Sequence, residues 1–300
     1  MSNYLVKVKH IWPTFVYVCW GTTLMLVMLR WVFAIHFKVF DFSDTFWEIW
    51  MPFLVPVPGV LLVLPIKTKA IVYRNKKYKR GLPMISYIVI VAMLVISQMF
   101  TTAYFGELRQ VKTVNEIDRH PLVKYYKIGH YALPQRWMGR FVRVSTSGRG
   151  RMRLNFDGYA VFPMLNDTSI VDLQKPAKYW YGFHINQRYS NTVSEAHKKE
   201  YYTHFVQYLL TQARASAYQK PDHFENLNAG DHQFLYLKSV SDKFYTIPED
   251  AVVLSPVYET YDERTGNLLL WVFGAFGIGT ILLAIQLTEG EFYSKELLKS

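Results

Sequence analysis

The sequence predicts an α-helical membrane protein with four transmembrane helices and one inserted α+β domain on the extracytoplasmic side. Two observations carry the architecture. Four apolar segments, 12–35, 47–66, 83–105 and 268–287, are each long enough to cross a hydrocarbon core roughly 30 Å thick, which takes about 20 helical residues. A single polar stretch, 106–267, separates the third from the fourth. A third observation, the charge on the short connections, sets the side. Loop 67–82 carries Lys67, Lys69, Arg74, Lys76, Lys77, Lys79 and Arg80 with no acid, Lys7 and Lys9 precede the first segment, and Lys295 and Lys299 follow the last. Positive residues resist translocation, so both termini and this loop are expected in the cytoplasm. The insert is then periplasmic, with the helices in a bacterial inner membrane. Composition agrees: 51% of residues are hydrophobic and 17% aromatic, and Trp12, Trp47, Trp50 and Trp271 lie near segment ends, where indole prefers the headgroup layer.

The first segment is too long for a cleaved signal and contains Arg30, with no small-residue cleavage site after it, so a retained helix is expected. Its Cys19, the sole cysteine, excludes an intramolecular disulfide and any cysteine-built metal cluster. The second segment holds Pro52, Pro56, Pro58 and Pro65, each of which removes a backbone donor, so a kinked helix is expected. Arg30 is costly at membrane depth without a partner. Glu48, with Asp44 just before it, comes at matching depth, and an Arg30–Glu48 ion pair is expected to tie the first two helices. The fourth segment carries Gly274, Ala275, Gly277 and Gly279, small residues that let helices approach closely.

Alternating and aromatic-rich runs in the insert predict strands near 123–133, 140–146, 152–163, 179–185, 234–240 and 252–258. Thr192 and Glu195 form a capping-box pattern ahead of a helix whose apolar face runs through Tyr201, Phe205, Tyr208, Leu209 and Ala213. Strands, then a helix, then strands favour a mixed sheet with one covered face. From Arg119 to Phe156 there are nine basic residues and no acid, among them Arg136, Arg140, Arg143, Arg149, Arg151 and Arg153, a candidate basic interaction surface. Outside the cytoplasm such a surface points to an acidic protein or phosphate headgroups and away from nucleic acid.

Catalytic signatures are missing from the sequence. None of the nine His stands in a metal-protease spacing, no glycine precedes Ser145 or Ser147 as in a nucleophile elbow, and no Gly-Lys-Ser/Thr phosphate loop occurs. No cofactor, metal or catalytic residue is therefore expected.

Several stretches carry a resemblance: Lys124-Tyr125-Tyr126-Lys127-Ile128, Tyr179-Trp180-Tyr181-Gly182, Gln187-Arg188-Tyr189-Ser190-Asn191, and Arg264-Thr265-Gly266-Asn267 running into Trp271-Val272-Phe273-Gly274. They resemble the N-terminal accessory region ahead of the protease core in rhomboid-family membrane proteins of Bacteroidetes. The resemblance implies intramembrane serine proteolysis, through a Gly-x-Ser-Gly serine and a helix-borne histidine. Neither stands in the four segments, so no catalytic role transfers to any residue. The expected function is that of a non-catalytic accessory or structural subunit, whose extracytoplasmic domain binds a membrane or periplasmic protein partner or an envelope component. The alternatives are a regulatory part of a rhomboid-type protease and, more remotely, a small transporter or channel.

The sidedness has a direct check. A cysteine placed at Arg149 is expected to react with a membrane-impermeant thiol reagent in intact spheroplasts; labelling only after lysis would reverse the orientation.

Overall fold

The computed structural model describes residues 3–37, 39, 42–60, 71–73, 76–167, 177–227, 231–241, 248–288 and 290–292. The chain divides into two compact units, Met1–Phe105 with Arg264–Ser300, and Gly106–Glu263.

The first unit is helical. Helix α1 runs Asn3–Arg30 and continues as a π-turn segment, Trp31–His36. The chain then forms a π-segment, Phe46–Trp50, and two short helices, α2 (Met51–Leu54) and α3 (Pro56–Pro58). Helix α4 spans Lys76–Phe105 and α7 spans Leu268–Thr288. A short antiparallel pair joins β1 (Ile71–Tyr73) to β9 (Gly290–Phe292).

Among the described residues three helices, not four, are long and apolar enough to cross a membrane: Tyr4–His36, Gly81–Phe105 and Tyr261–Thr288. The expected four-helix membrane fold is thereby corrected, and the second expected helix, 47–66, is where it fails. Pro52, Pro56 and Pro58 remove three closely spaced backbone donors, and the hydrogen-bond register changes along the segment, through a π-segment of five residues and α-helical pieces of four and three. Residues 61–66 of that expectation, the loop residues Lys67, Lys69 and Arg74, and the tail from Tyr293 lie outside the described residues.

Contacts fix the directions of the long helices. The Lys7 ammonium donates to the Leu287 carbonyl at 2.5 Å, and Arg30 meets Gln98 of α4 at 3.0 Å. So α1 and α4 run parallel, with α7 antiparallel to both. The broken segment lies alongside, from Trp47 beside Arg30 to Gly59 beside Val18 and Thr22. The core between the helices is built from Ile11, Phe15, Leu26, Trp47, Met93 and Leu283, all nearly inaccessible.

Close approach of α4 and α7 depends on one glycine. A Cβ on Gly279 would stand 2.5 Å from Val89, whereas Gly277 has open space around it and Gly274 meets only Trp271 of its own helix. Ala275 is partly buried against the core.

The second unit is a seven-stranded mixed sheet: β2 (Leu108–Thr113), β3 (Tyr125–His130), β4 (Gly139–Ser147), β5 (Arg153–Pro163), β6 (Tyr179–Ser190), β7 (His223–Leu227) and β8 (Val252–Val257). Their spatial order is β2-β3-β7-β8-β6-β5-β4, with β2/β3 and β6/β8 parallel and the other pairs antiparallel. Helix α5 (Glu195–Tyr218) covers one face, where Phe162, Tyr181, Leu209 and Phe224 are buried together. Helix α6 (Asp231–Val240) covers part of the other, over Tyr159, Val161, Trp180 and Val253.

Two local expectations change here. Residues 234–240 are helical, not a strand, and the cap of α5 is Ser194, whose hydroxyl accepts from the His197 amide. Thr192 instead bonds Ser190 at 2.7 Å.

Gly279→Val is expected to destabilise the helical unit by about 1–3 kcal/mol through overpacking against Val89, with Gly277→Val nearly neutral. Thermal melting in detergent distinguishes the two; equal losses would remove the special role of Gly279.

Candidate binding face

Strands β4, β5 and β6 form an antiparallel meander in which Val144, Phe156 and Gln187 stand side by side, as do Val142, Gly158 and Ile185. Directly paired residues share a face, so all six point toward α5. Gly158 lets the helix settle on the sheet: a Cβ there would meet Phe205 at 2.9 Å and Leu209 at 3.0 Å. Beyond Gly158 the helix and the outer strands enclose an open groove of about 520 Å³. Its floor is Val144, Leu154, Phe156 and Tyr202, and Asn191, Glu195, Lys198, Lys199 and Thr203 stand at its polar margin, where the two lysines outnumber the single carboxylate. Lys198 pairs with Glu195 at 2.8 Å, and Lys199 is exposed. Val144 and Tyr202 are 48% and 43% exposed, large apolar groups left facing water.

The groove's end is fixed by backbone geometry. The β4–β5 turn places Gly148, Gly150 and Arg151 at positive φ, +83°, +70° and +56°. The last is a strained conformation for a residue with a side chain. Asn191 holds it, donating from its side chain to the Arg151 carbonyl and from its amide to the Met152 carbonyl, both at 2.8 Å.

The six arginines of the basic stretch do not form one patch. Arg140 lies on the α5 face of β4, opposite Ala160, while Arg143 lies on the other face, opposite Asp157 and 3.7 Å from its carboxylate. Arg149, Arg151 and Arg153 are exposed in and after the turn, and Arg136 sits over the Trp137 ring at 5.5 Å. They are strung along the edge strand and its turn. On the α6 side, Asp157 also accepts from Asn186 at 2.6 Å and lies 3.8 Å from His184, which stacks on Tyr159.

In the helical unit, Arg30 is 4% exposed, and the carboxylate it meets directly is Asp44, at 3.1 Å. It also donates to the Gln98 carbonyl, to Gln98 Oε1 and to the Thr102 hydroxyl, at 3.0, 3.3 and 2.9 Å. Glu48, the expected partner, accepts from Thr102, which Arg30 also engages. The guanidinium therefore ties α1 to α4 as well as to the proline-rich segment. The sequence placed Asp44 beside Glu48 at this depth, and both carboxylates belong to the network around Arg30. Nothing in the sequence paired Arg30 with Thr102.

A second polar centre lies within the α+β unit. Buried His223 packs edge-on against the rings of Tyr125 and Tyr261, which also touch each other, and its Nδ1 is 3.1 Å from Asp222. Asp222 also accepts from Lys127 at 3.3 Å and from the Tyr261 amide at 3.1 Å. The His223 contact foremost, with Lys127 and the Tyr261 amide, holds the Asp222 carboxyl below the usual range against a smaller opposing effect of burial. Among the described residues, no three His, Cys, Asp or Glu side chains come together as a metal site.

Comparison with protein-family models, with curated proteins and with solved structures gives no match to this chain.

Because the folded-state value of Asp222 is depressed, its contribution is complete above the ordinary Asp pKa, about 4, and disappears as pH falls through the lower folded value. Asp222→Asn is expected to lower the melting temperature near neutral pH and to shrink the further loss on acidification. An unchanged acid limb would remove Asp222 from the account.

Proposed function

We propose that this chain is a membrane-anchored binding protein. Its apolar helices sit in the bilayer of a bacterial cytoplasmic membrane, and its α+β unit, on the extracytoplasmic side, receives a protein partner or envelope component of anionic character. The role is that of an accessory or structural subunit. What supports the reading is a single juxtaposition: an apolar groove of about 520 Å³ lies beside the outermost strand of the sheet, with Lys198 and Lys199 at its margin and arginines along the strand. Apolar surface with a cationic margin suits a partner that buries an apolar group while presenting negative charge.

A photo-crosslinking residue at Thr203, inside the groove, tests this in native membranes. A discrete adduct is expected, weakened at least tenfold by the charge reversal Lys198→Glu/Lys199→Glu. Absence of an adduct, or an adduct indifferent to that reversal, would overturn the proposal.

A further inference from the structure

Strand β4 is the outer edge of the sheet and, among the described residues, pairs only with β5. An edge strand presents a row of backbone donors and acceptors that another extended chain can satisfy. The opposite edge differs. On β2 the Lys112 amide already donates to the Glu116 carboxylate at 2.7 Å, so a side chain from the flanking segment takes up part of that edge. Strand β4 is also the longer of the two, nine residues against six.

We infer that β4 receives an extended acidic peptide segment of a partner protein as an added eighth strand. The inference rests on the proposed binding role and names the partner's chemistry. Successive side chains of an added strand alternate between faces. Those pointing toward α5 fall beside Val144 into the groove, where Tyr202 supplies apolar surface and Lys198 and Lys199 supply charge. Those on the other face run past Arg143. The occupant thus combines an apolar residue for the groove with carboxylates for the flanking cations.

The same charge disfavours the nearest competitor. A second copy of β4 would bring two arginine-bearing edges of the same sign together, which repel. A bilayer of anionic lipid would satisfy the cations but leave the edge amides and carbonyls of β4 without a partner.

The test uses the full chain in nanodiscs of zwitterionic lipid, presented with a displayed library of random octapeptides. Recovered sequences are expected to be rich in Asp and Glu with at least one large apolar residue. A synthetic peptide of that consensus should slow hydrogen exchange of the β4 amides and should bind at least tenfold more weakly to Lys198→Glu/Lys199→Glu. N-methylation of the peptide at one set of alternate residues should abolish binding while the other set is tolerated, the signature of strand pairing. Indifference to N-methylation, protection away from β4, or loss of the peptide to competing anionic vesicles added to the same nanodiscs would each overturn strand addition. If the crosslink from position 203 persists in that case, the binding role survives and only its chemistry is wrong. If crosslink and peptide both fail, the underlying reading fails too.

Discussion

An insert that leaves one long helix and returns through another must begin and end close together, and the backbone groups at those ends need hydrogen-bond partners. In the helical unit the need is acute at the end of α4, because the last carbonyls of any helix lack an intrahelical donor. Arg264, just before α7, supplies it: its Nε donates to the Ala103 carbonyl at 2.8 Å and a terminal nitrogen donates to the Tyr104 carbonyl at 3.1 Å. In the α+β unit the corresponding fastening is Tyr261, whose hydroxyl donates to the Gly106 carbonyl at 2.6 Å. Tyr261 is itself held by the rings of Tyr125 and His223 and, through its amide, by Asp222. Within the α+β unit the two ends of the insert are thus fastened through β3 and β7.

Burial of Arg30 imposes a second constraint on the helical unit. A guanidinium among apolar helices is tolerated only when its donors are filled, and they are filled here by a carboxylate, a backbone carbonyl, a side-chain amide and a hydroxyl. Those partners come from the broken segment and from α4, so one charge positions both against α1. The Gly279–Val89 contact acts on the remaining helix, α7. Between them the three long helices are located by one polar network and one close approach, over an otherwise nonspecific apolar core.

The parts of this architecture that were legible in the sequence are those where one physical pattern dominates. Segment 268–287 is apolar all round and emerges as a helix one residue longer. The second half of β6 alternates half-buried and exposed positions from Phe183 onward, as a strand covered on one face should. Its first four residues are all buried, because α5 and α6 cover both faces there, and no alternation can mark them. The run Phe234-Leu235-Tyr236-Leu237 fits either period, and its packing against Tyr159 and Val253, not its local pattern, decides for helix. Strands β2 and β7 are short and mix charged with apolar residues, so their identity comes from neighbours in the sheet. The four prolines of 47–66 were visible throughout; what the sequence could not show is how the hydrogen-bond register changes between them, so that no regular α-helix of spanning length forms there among the described residues. At the candidate face, the density of arginines was legible, but their division between the two faces of β4 follows from register alone.

That division explains why the groove and the edge belong together. Strain at Arg151 persists only where its surroundings over-determine it, and here two hydrogen bonds from Asn191 do so. Asn191 follows β6 directly and precedes the Ser194 cap of α5, so the residue that holds the β4–β5 turn also stands at the start of the helix lining the groove. The turn is therefore tied to the end of β6 by one side-chain and one backbone hydrogen bond, three residues ahead of the Ser194 cap. On the proposed reading, the ordering cost of an added strand falls largely on the incoming segment. On that reading too, the cations beside the groove favour acidic chains over basic ones, so charge sets selectivity and the edge backbone sets affinity.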